Sequence, residues 1–126
     1  MGIVGLGLDI CSVERIQRIM EGPRAEAFLN RVYTEAERAL CGGRHDAASA
    51  YAARWAAKEA LVKALGAPPG IRWKDMEVRR DGGPPYFALS GVAREVMEAR
   101  GLEAFLALSH DAGVAAATVV LQKKGT

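Results

Sequence analysis

From Asp46 to Leu65 the chain runs without a glycine or proline through an alanine- and leucine-rich stretch, and Gly66 and Pro68-Pro69 then stop it. Such a run reads as one helix over 46–65. At 1.5 Å per residue it spans roughly 30 Å, enough to cross a small domain. Ala52, Ala53, Ala56, Ala57, Ala60 and Ala64 nearly encircle it. A helix with small residues on every side is packed on several sides. The four charges it carries beyond its first residue, Arg54, Lys58, Glu59 and Lys63, therefore stand out.

The other elements follow from period and punctuation. Over residues 3–10, Val4, Leu6, Leu8 and Ile10 alternate with Ile3, Gly5, Gly7 and Asp9, which is a strand pattern. The two glycines bare one face, so another backbone or a ligand can approach closely. Ser12 is placed to cap a helix over 13–21 whose apolar stripe is Val13, Ile16, Ile19 and Met20. A short helix is predicted over 24–30. Thr34-Glu-Ala-Glu37 has the form of a capping box opening a helix to Cys41. Further strands are predicted at about 75–80, 85–90 and 104–122, the last as a hairpin around Asp111-Ala112-Gly113, with a helix over 91–100 ended by Gly101. The expected fold class is α+β, in a single domain over 1–126, with a small antiparallel sheet packed against the long helix.

Composition excludes several classes. The net charge of +2 is mild, and neither a basic stripe nor a run of stacking aromatics marks a nucleic-acid binder. Cys11 and Cys41 are far apart with no CxxC or Cys/His pattern around them, which argues against zinc and leaves reduced thiols as the expected state. The first residues lack a basic region and reach Asp9 early. No signal peptide or membrane span is expected, and a cytoplasmic protein is.

Individual residues carry two readings each. Asp9 at the strand's end is either a turn or cap residue or a metal-ligating carboxylate. Arg54 with Lys58, and Glu59 with Lys63, lie one turn apart. They form either a solvated face, worth ~0.3–0.5 kcal/mol per ion pair, or a group that looks into a cleft. His110 follows Leu106 and Leu108 at strand spacing and is either a hydrogen-bonded strand end or a site residue. Gly5-x-Gly7 lacks the third glycine of a dinucleotide fingerprint, no phosphate-binding loop with Gly-Lys-Ser/Thr occurs, and no G-x-S-x-G elbow supports a Ser109–His110 hydrolase.

Taken together, Gly5-Leu-Gly-Leu-Asp9-Ile, the Arg15-Ile that follows, Phe28-Leu-Asn-Arg-Val-Tyr-Thr34-Glu-Ala-Glu37, Arg54-Trp-Ala-Ala-Lys58-Glu59-Ala-Leu-Val-Lys63-Ala-Leu-Gly66, Met76-Glu-Val and Ser109-His110 resemble the short bacterial holo-acyl-carrier-protein synthases of the 4′-phosphopantetheinyl transferase superfamily. The resemblance covers nearly the whole chain. One departure is the turn before Tyr86, where Gly83-Pro84-Pro85 replaces a Gly-x-Pro whose middle residue is often basic.

The resemblance implies transfer of 4′-phosphopantetheine from coenzyme A to a serine of apo-acyl carrier protein, releasing adenosine 3′,5′-bisphosphate, in support of fatty acid biosynthesis. It implies Asp9 and Glu59 as Mg²⁺ ligands, since that ion takes one or two carboxylates together with waters and substrate phosphates. Lys63 would reach the pyrophosphate, with Arg54, Lys58 and His110 as further coenzyme A contacts. Glu59 or a metal-held water would take the serine proton. Acyl carrier proteins are acidic helical bundles, and Arg15, Arg18 and Arg24 would form the basic patch that meets one. A homotrimer with active sites between subunits is implied as well.

Overall fold

The computed structural model describes residues 2–125. Strand β1 (Ile3–Ser12) leads into helix α1 (Val13–Glu21), followed by α2 (Ala25–Val32), α3 (Glu35–Gly42) and the long α4 (Ala47–Leu65). A short 3₁₀ turn (Trp73–Asp75) opens the second half, with strands β2 (Met76–Arg79) and β3 (Tyr86–Leu89), helix α5 (Gly91–Arg100) and strands β4 (Leu102–Asp111) and β5 (Val114–Lys123). Local chemistry fixes the boundaries. The Ser12 hydroxyl accepts a hydrogen bond from the Arg15 amide at 3.2 Å. The Thr34 hydroxyl accepts from the Glu37 amide while Glu37 accepts from the Thr34 amide, a closed capping box at the start of α3. Gly66 takes a left-handed conformation and donates to the last carbonyls of α4.

The α+β class is as expected, but the strands form two sheets where one was anticipated. β1, β5 and β4 lie in that order, all antiparallel, and β2 pairs only with β3. The β4–β5 hairpin turns at Ala112 and Gly113, both at positive φ, which matches the right-handed twist of the flanking strands.

Helix α4 crosses the three-stranded sheet on one face. Cys11, Leu106, Ala115, Ala117, Val119 and Leu121 are buried there, with Ala56, Ala57, Ala60 and Leu61 facing them from the core. Gly7 shows why β1 carries glycines: a Cβ at that position would sit 1.9 Å from the Ala60 carbonyl oxygen. Only a bare backbone lets strand and helix approach so closely. The glycine face of β1 is thus covered by the helix of the same chain.

The opposite face of the sheet is open. Leu6 pairs with Val120 and Val120 with Phe105; Leu8 pairs with Thr118 and Thr118 with Ala107. Leu6 is 66% exposed, and Leu8, Ile10 and Phe105 are exposed with it. A contiguous apolar sheet face of this kind marks an interaction surface.

Candidate active site

The register of β1 against β5 puts Asp9 opposite Ala117, on the face that α4 covers. Lys63, in the last turn of α4, donates to an Asp9 carboxylate oxygen at 2.8 Å and to the Leu8 carbonyl at 3.3 Å. Glu59 lies one turn earlier on the same helix. Burial, and next the Asp9 charge, hold the Glu59 carboxyl above the usual carboxylate range, with Lys63 and then Arg15 opposing. The Asp9 hydrogen bond raises the Lys63 ammonium above its ordinary value. Burial pushes the neighbouring Cys11 thiol up to about 11, Arg15 opposing and Asp9 and Glu59 adding. Cys11 is a packed thiol, 5% exposed, whose burial disfavours the thiolate. Asp9, Glu59, Lys63 and Arg15 thus form one electrostatic group. Two carboxylates near enough for the charge of one to act on the other are oxygen donors of the kind a small divalent cation takes, together with waters and substrate phosphates.

A second group gathers elsewhere. Arg54 and His110 line a cleft of ≈ 330 Å³ together with Arg44, Ser49 and Arg80. Arg54 is 8% exposed, and its Nε has no hydrogen-bond partner among the described residues. A buried, unpaired guanidinium nitrogen is costly, and an anion in the cleft would satisfy it. Arg44 is forked onto Asp46 at 2.7 and 2.9 Å. Arg80 donates from Nε to the Gly83 carbonyl at 3.1 Å, so the Gly83-Pro84-Pro85 turn anchors a basic side chain without supplying one. Pro85 lines an adjoining hollow with Leu40 and Val78. Five residues separate Arg54 from Glu59, about 140° around a helix. The two groups therefore occupy different faces of α4.

Lys58 departs from expectation. The sequence suggested a coenzyme A phosphate contact. The side chain instead turns into the core and is fully buried. Its ammonium donates to Glu37 at 2.7 Å and to the Trp73 carbonyl at 3.0 Å, and lies 5.6 Å from the Tyr33 ring centroid. Glu37 also accepts from the Val78 amide at 2.9 Å. The pair ties α3, α4, the 3₁₀ turn and β2 together, and Lys58 has no access to a ligand. Glu37 was legible only as a cap residue. Its second role depends on β2 and α4 arriving at the same point. Arg44 and Arg80 were also missed, because each sits in a loop or strand end with no periodic signal.

The basic patch is only partly free. Arg18 closes onto Glu14 on exposed α1, and Arg15 leans electrostatically on Glu59. Arg24 is exposed at the start of α2.

Comparison with known proteins adds a frame. Residues 5–119 match the model of the 4′-phosphopantetheinyl transferase superfamily. The chain is 88% identical over 125 residues to the holo-[acyl-carrier-protein] synthase of Myxococcus xanthus, covering 99% of each chain. The crystal structure of the Neisseria meningitidis holo-[acyl-carrier-protein] synthase superposes with a TM-score of 0.84 at 30% identity, covering 97% of this chain and 100% of that one. The Helicobacter pylori enzyme, in complex with coenzyme A, gives 0.79 at 30% identity over 93% and 99%.

Proposed function

The chain belongs to the 4′-phosphopantetheinyl transferase superfamily, and on that premise we propose that it is a holo-acyl-carrier-protein synthase over a single domain, 1–126. It would move 4′-phosphopantetheine from coenzyme A to a serine hydroxyl of apo-acyl carrier protein, with adenosine 3′,5′-bisphosphate as the second product. The grouping of Asp9 and Lys63, bonded at 2.8 Å, with Glu59, which feels the charge of both, is the observation that carries the reading. The proposed setting is the cytoplasm, in supply of fatty acid biosynthesis. No helix among the described residues is long and apolar enough to cross a membrane.

Asp9 and Glu59 would hold Mg²⁺, whose oxygen preference their carboxylates fit. When bound, that ion supplies positive charge against the phosphate oxygens. The remaining chemistry falls to the chain. Lys63 offsets charge on the departing bisphosphate. A Glu59 carboxylate oxygen left free by the ion would accept the serine proton. In the step, the serine oxygen forms a bond to the β-phosphorus of coenzyme A as the pyrophosphate bond to the α-phosphate breaks. The bisphosphate leaves with that electron pair. Arg54 and His110, with Arg44 and Arg80, would bind phosphate in their cleft.

Because that cleft and the carboxylates lie on different faces of α4, one chain would leave the coenzyme A site incomplete. A homotrimer that sets the carboxylates of one subunit beside the arginine cleft of the next resolves this. The open face of Leu6, Leu8, Ile10 and Phe105 supports such an assembly.

Mass spectrometry of apo-acyl carrier protein, incubated with coenzyme A, Mg²⁺ and this protein, tests the function. The expected gain is one phosphopantetheine. No gain at any enzyme concentration sinks the reading.

A further inference from the structure

Lys63 works from the last turn of α4, and a helix end is where backbone carbonyls run out of partners. The Gly66 amide donates to the Lys63 carbonyl at 3.1 Å, and the Ala67 amide donates to the Val62 carbonyl at 2.9 Å. The Ala64 carbonyl oxygen lies against β1, where a Cβ on Gly5 would sit 2.9 Å from it. The Leu65 carbonyl accepts from the Arg100 guanidinium at 3.0 Å. Of these bonds only the last comes from a side chain, and it reaches across 35 residues of sequence.

The turn needs such a pin. Gly66 and Ala67 both stand at positive φ, and Ala67, at 54°, carries a Cβ there. A left-handed alanine persists only where its surroundings hold it. The Lys63 side chain is 53% exposed, so packing does not fix its ammonium; the backbone turn beneath it does. Leu65 follows Lys63 by two residues, about 3 Å along the helix axis. A shift at the Leu65 carbonyl is therefore a shift at Lys63.

Arg100 is itself held. It ends α5, and Gly101 leaves that helix in a left-handed conformation. The Lys123 ammonium donates to the Arg100 carbonyl at 2.7 Å, and the Lys124 amide donates to the Gly101 carbonyl at 2.9 Å. Lys123 is the last residue of β5, the strand that pairs with β1 and lies opposite Asp9. The bonds close a circuit. β5 holds the end of α5, Arg100 holds the end of α4, Lys63 on that turn bonds Asp9 at 2.8 Å, and β1 returns to β5.

We propose that Arg100 is a positioning residue for transfer: its bond to the Leu65 carbonyl sets the last turn of α4 against the sheet, and so the reach of Lys63. The inference rests on the role proposed for Lys63 and adds a residue that acts through it. A cap of purely structural worth would change stability alone. A positioning residue changes turnover, and only while Lys63 is present.

Steady-state transfer kinetics, hydrogen exchange and a double-mutant cycle decide it. Arg100→Met keeps much of the stem and removes the donors. It should lower kcat about tenfold or more and leave KM for coenzyme A and for apo-acyl carrier protein within about twofold. Lys63→Met should lower kcat further, and adding Arg100→Met to it should change nothing more. Arg100→Lys, which still offers a donor, should restore part of the rate. Exchange of the Gly66 and Ala67 amides should quicken about tenfold or more in Arg100→Met, while mid-helix amides of α4 stay protected. Arg100→Gln serves if circular dichroism shows the methionine variant unfolded. A folded variant with normal kcat overturns the inference while the transferase reading stands. A kcat loss equally large in Lys63→Met chains overturns it too, by making Arg100 a general support. Unchanged exchange at Gly66 and Ala67 overturns the pin itself. Absence of transfer by the unaltered protein removes both this inference and the function it rests on.

Discussion

Replacing Lys58 by methionine separates the structural role of that residue from the phosphate contact its sequence position suggests. Methionine keeps much of the aliphatic stem but removes the ammonium. The Glu37 oxygen then loses its 2.7 Å donor and the Trp73 carbonyl its 3.0 Å donor. Both stay sealed from water, since the Lys58 and Glu37 side chains are 0% and 1% exposed. Glu37 keeps the Thr34 and Val78 amides as partners but no cation. Removing one member of a buried pair costs about 3–5 kcal/mol, a large share of the roughly 5–15 kcal/mol that holds a domain folded. At a urea slope of about 2 kcal/mol/M, the midpoint should fall by roughly 1.5–2.5 M. Lys58→Met/Glu37→Gln should recover part of that loss, because neutralising the stranded carboxylate removes the buried unpaired charge. Urea unfolding of the two single variants and the double variant measures each leg. Below the unfolding transition, KM for coenzyme A should be unchanged. A Lys58→Met variant of near-normal stability with a strongly raised coenzyme A KM would refute the buried-pair account and restore Lys58 to the ligand site.

Glu59→Gln should abolish transfer and, in chelator, raise the melting temperature at pH 7. Its carboxyl has a raised pKa in the fold, so the native state loses stability as pH climbs from below the unfolded value through the folded one. The advantage of Gln should vanish at pH 3, and an advantage that instead grows toward low pH contradicts the sign. Arg54→Leu should raise KM for coenzyme A by about 10- to 100-fold, the worth of a lost charge-assisted bond. A normal coenzyme A KM would put the phosphates elsewhere. Light scattering should give a trimer that Leu6→Lys or Phe105→Glu breaks, and an active monodisperse monomer refutes the assembly. Mixing inactive Asp9→Ala chains with Arg54→Leu chains, at coenzyme A too dilute for the latter to turn over, should restore some activity in mixed trimers, and no recovery argues against a shared site.

Much of the molecule was legible because short-range chemistry wrote it. Ser12, the Thr34–Glu37 box, Gly66 and Gly101 set helix ends through bonds to residues at most a few positions away, and so they show in a linear reading. The α+β class followed from the same local signals, and the long-helix motif carried the family. What the linear reading did not contain was direction. Lys58 and Lys63 have the same side-chain chemistry on the same helix, but 58 points into the core and 63 to the edge where Asp9 arrives from β1. Nothing local distinguishes them, since both sit in the same alanine- and leucine-rich helix. The faces of β1 were likewise undecided by period alone. The bulky residues ended outside and the glycines inside, because α4 approaches so closely that no side chain fits beneath Ala60. The sequence by itself determined the elements, their caps and the residue types available for the chemistry. Only the tertiary structure decided which charges meet, because a charge's role depends on the partner that packing brings to it from far along the chain.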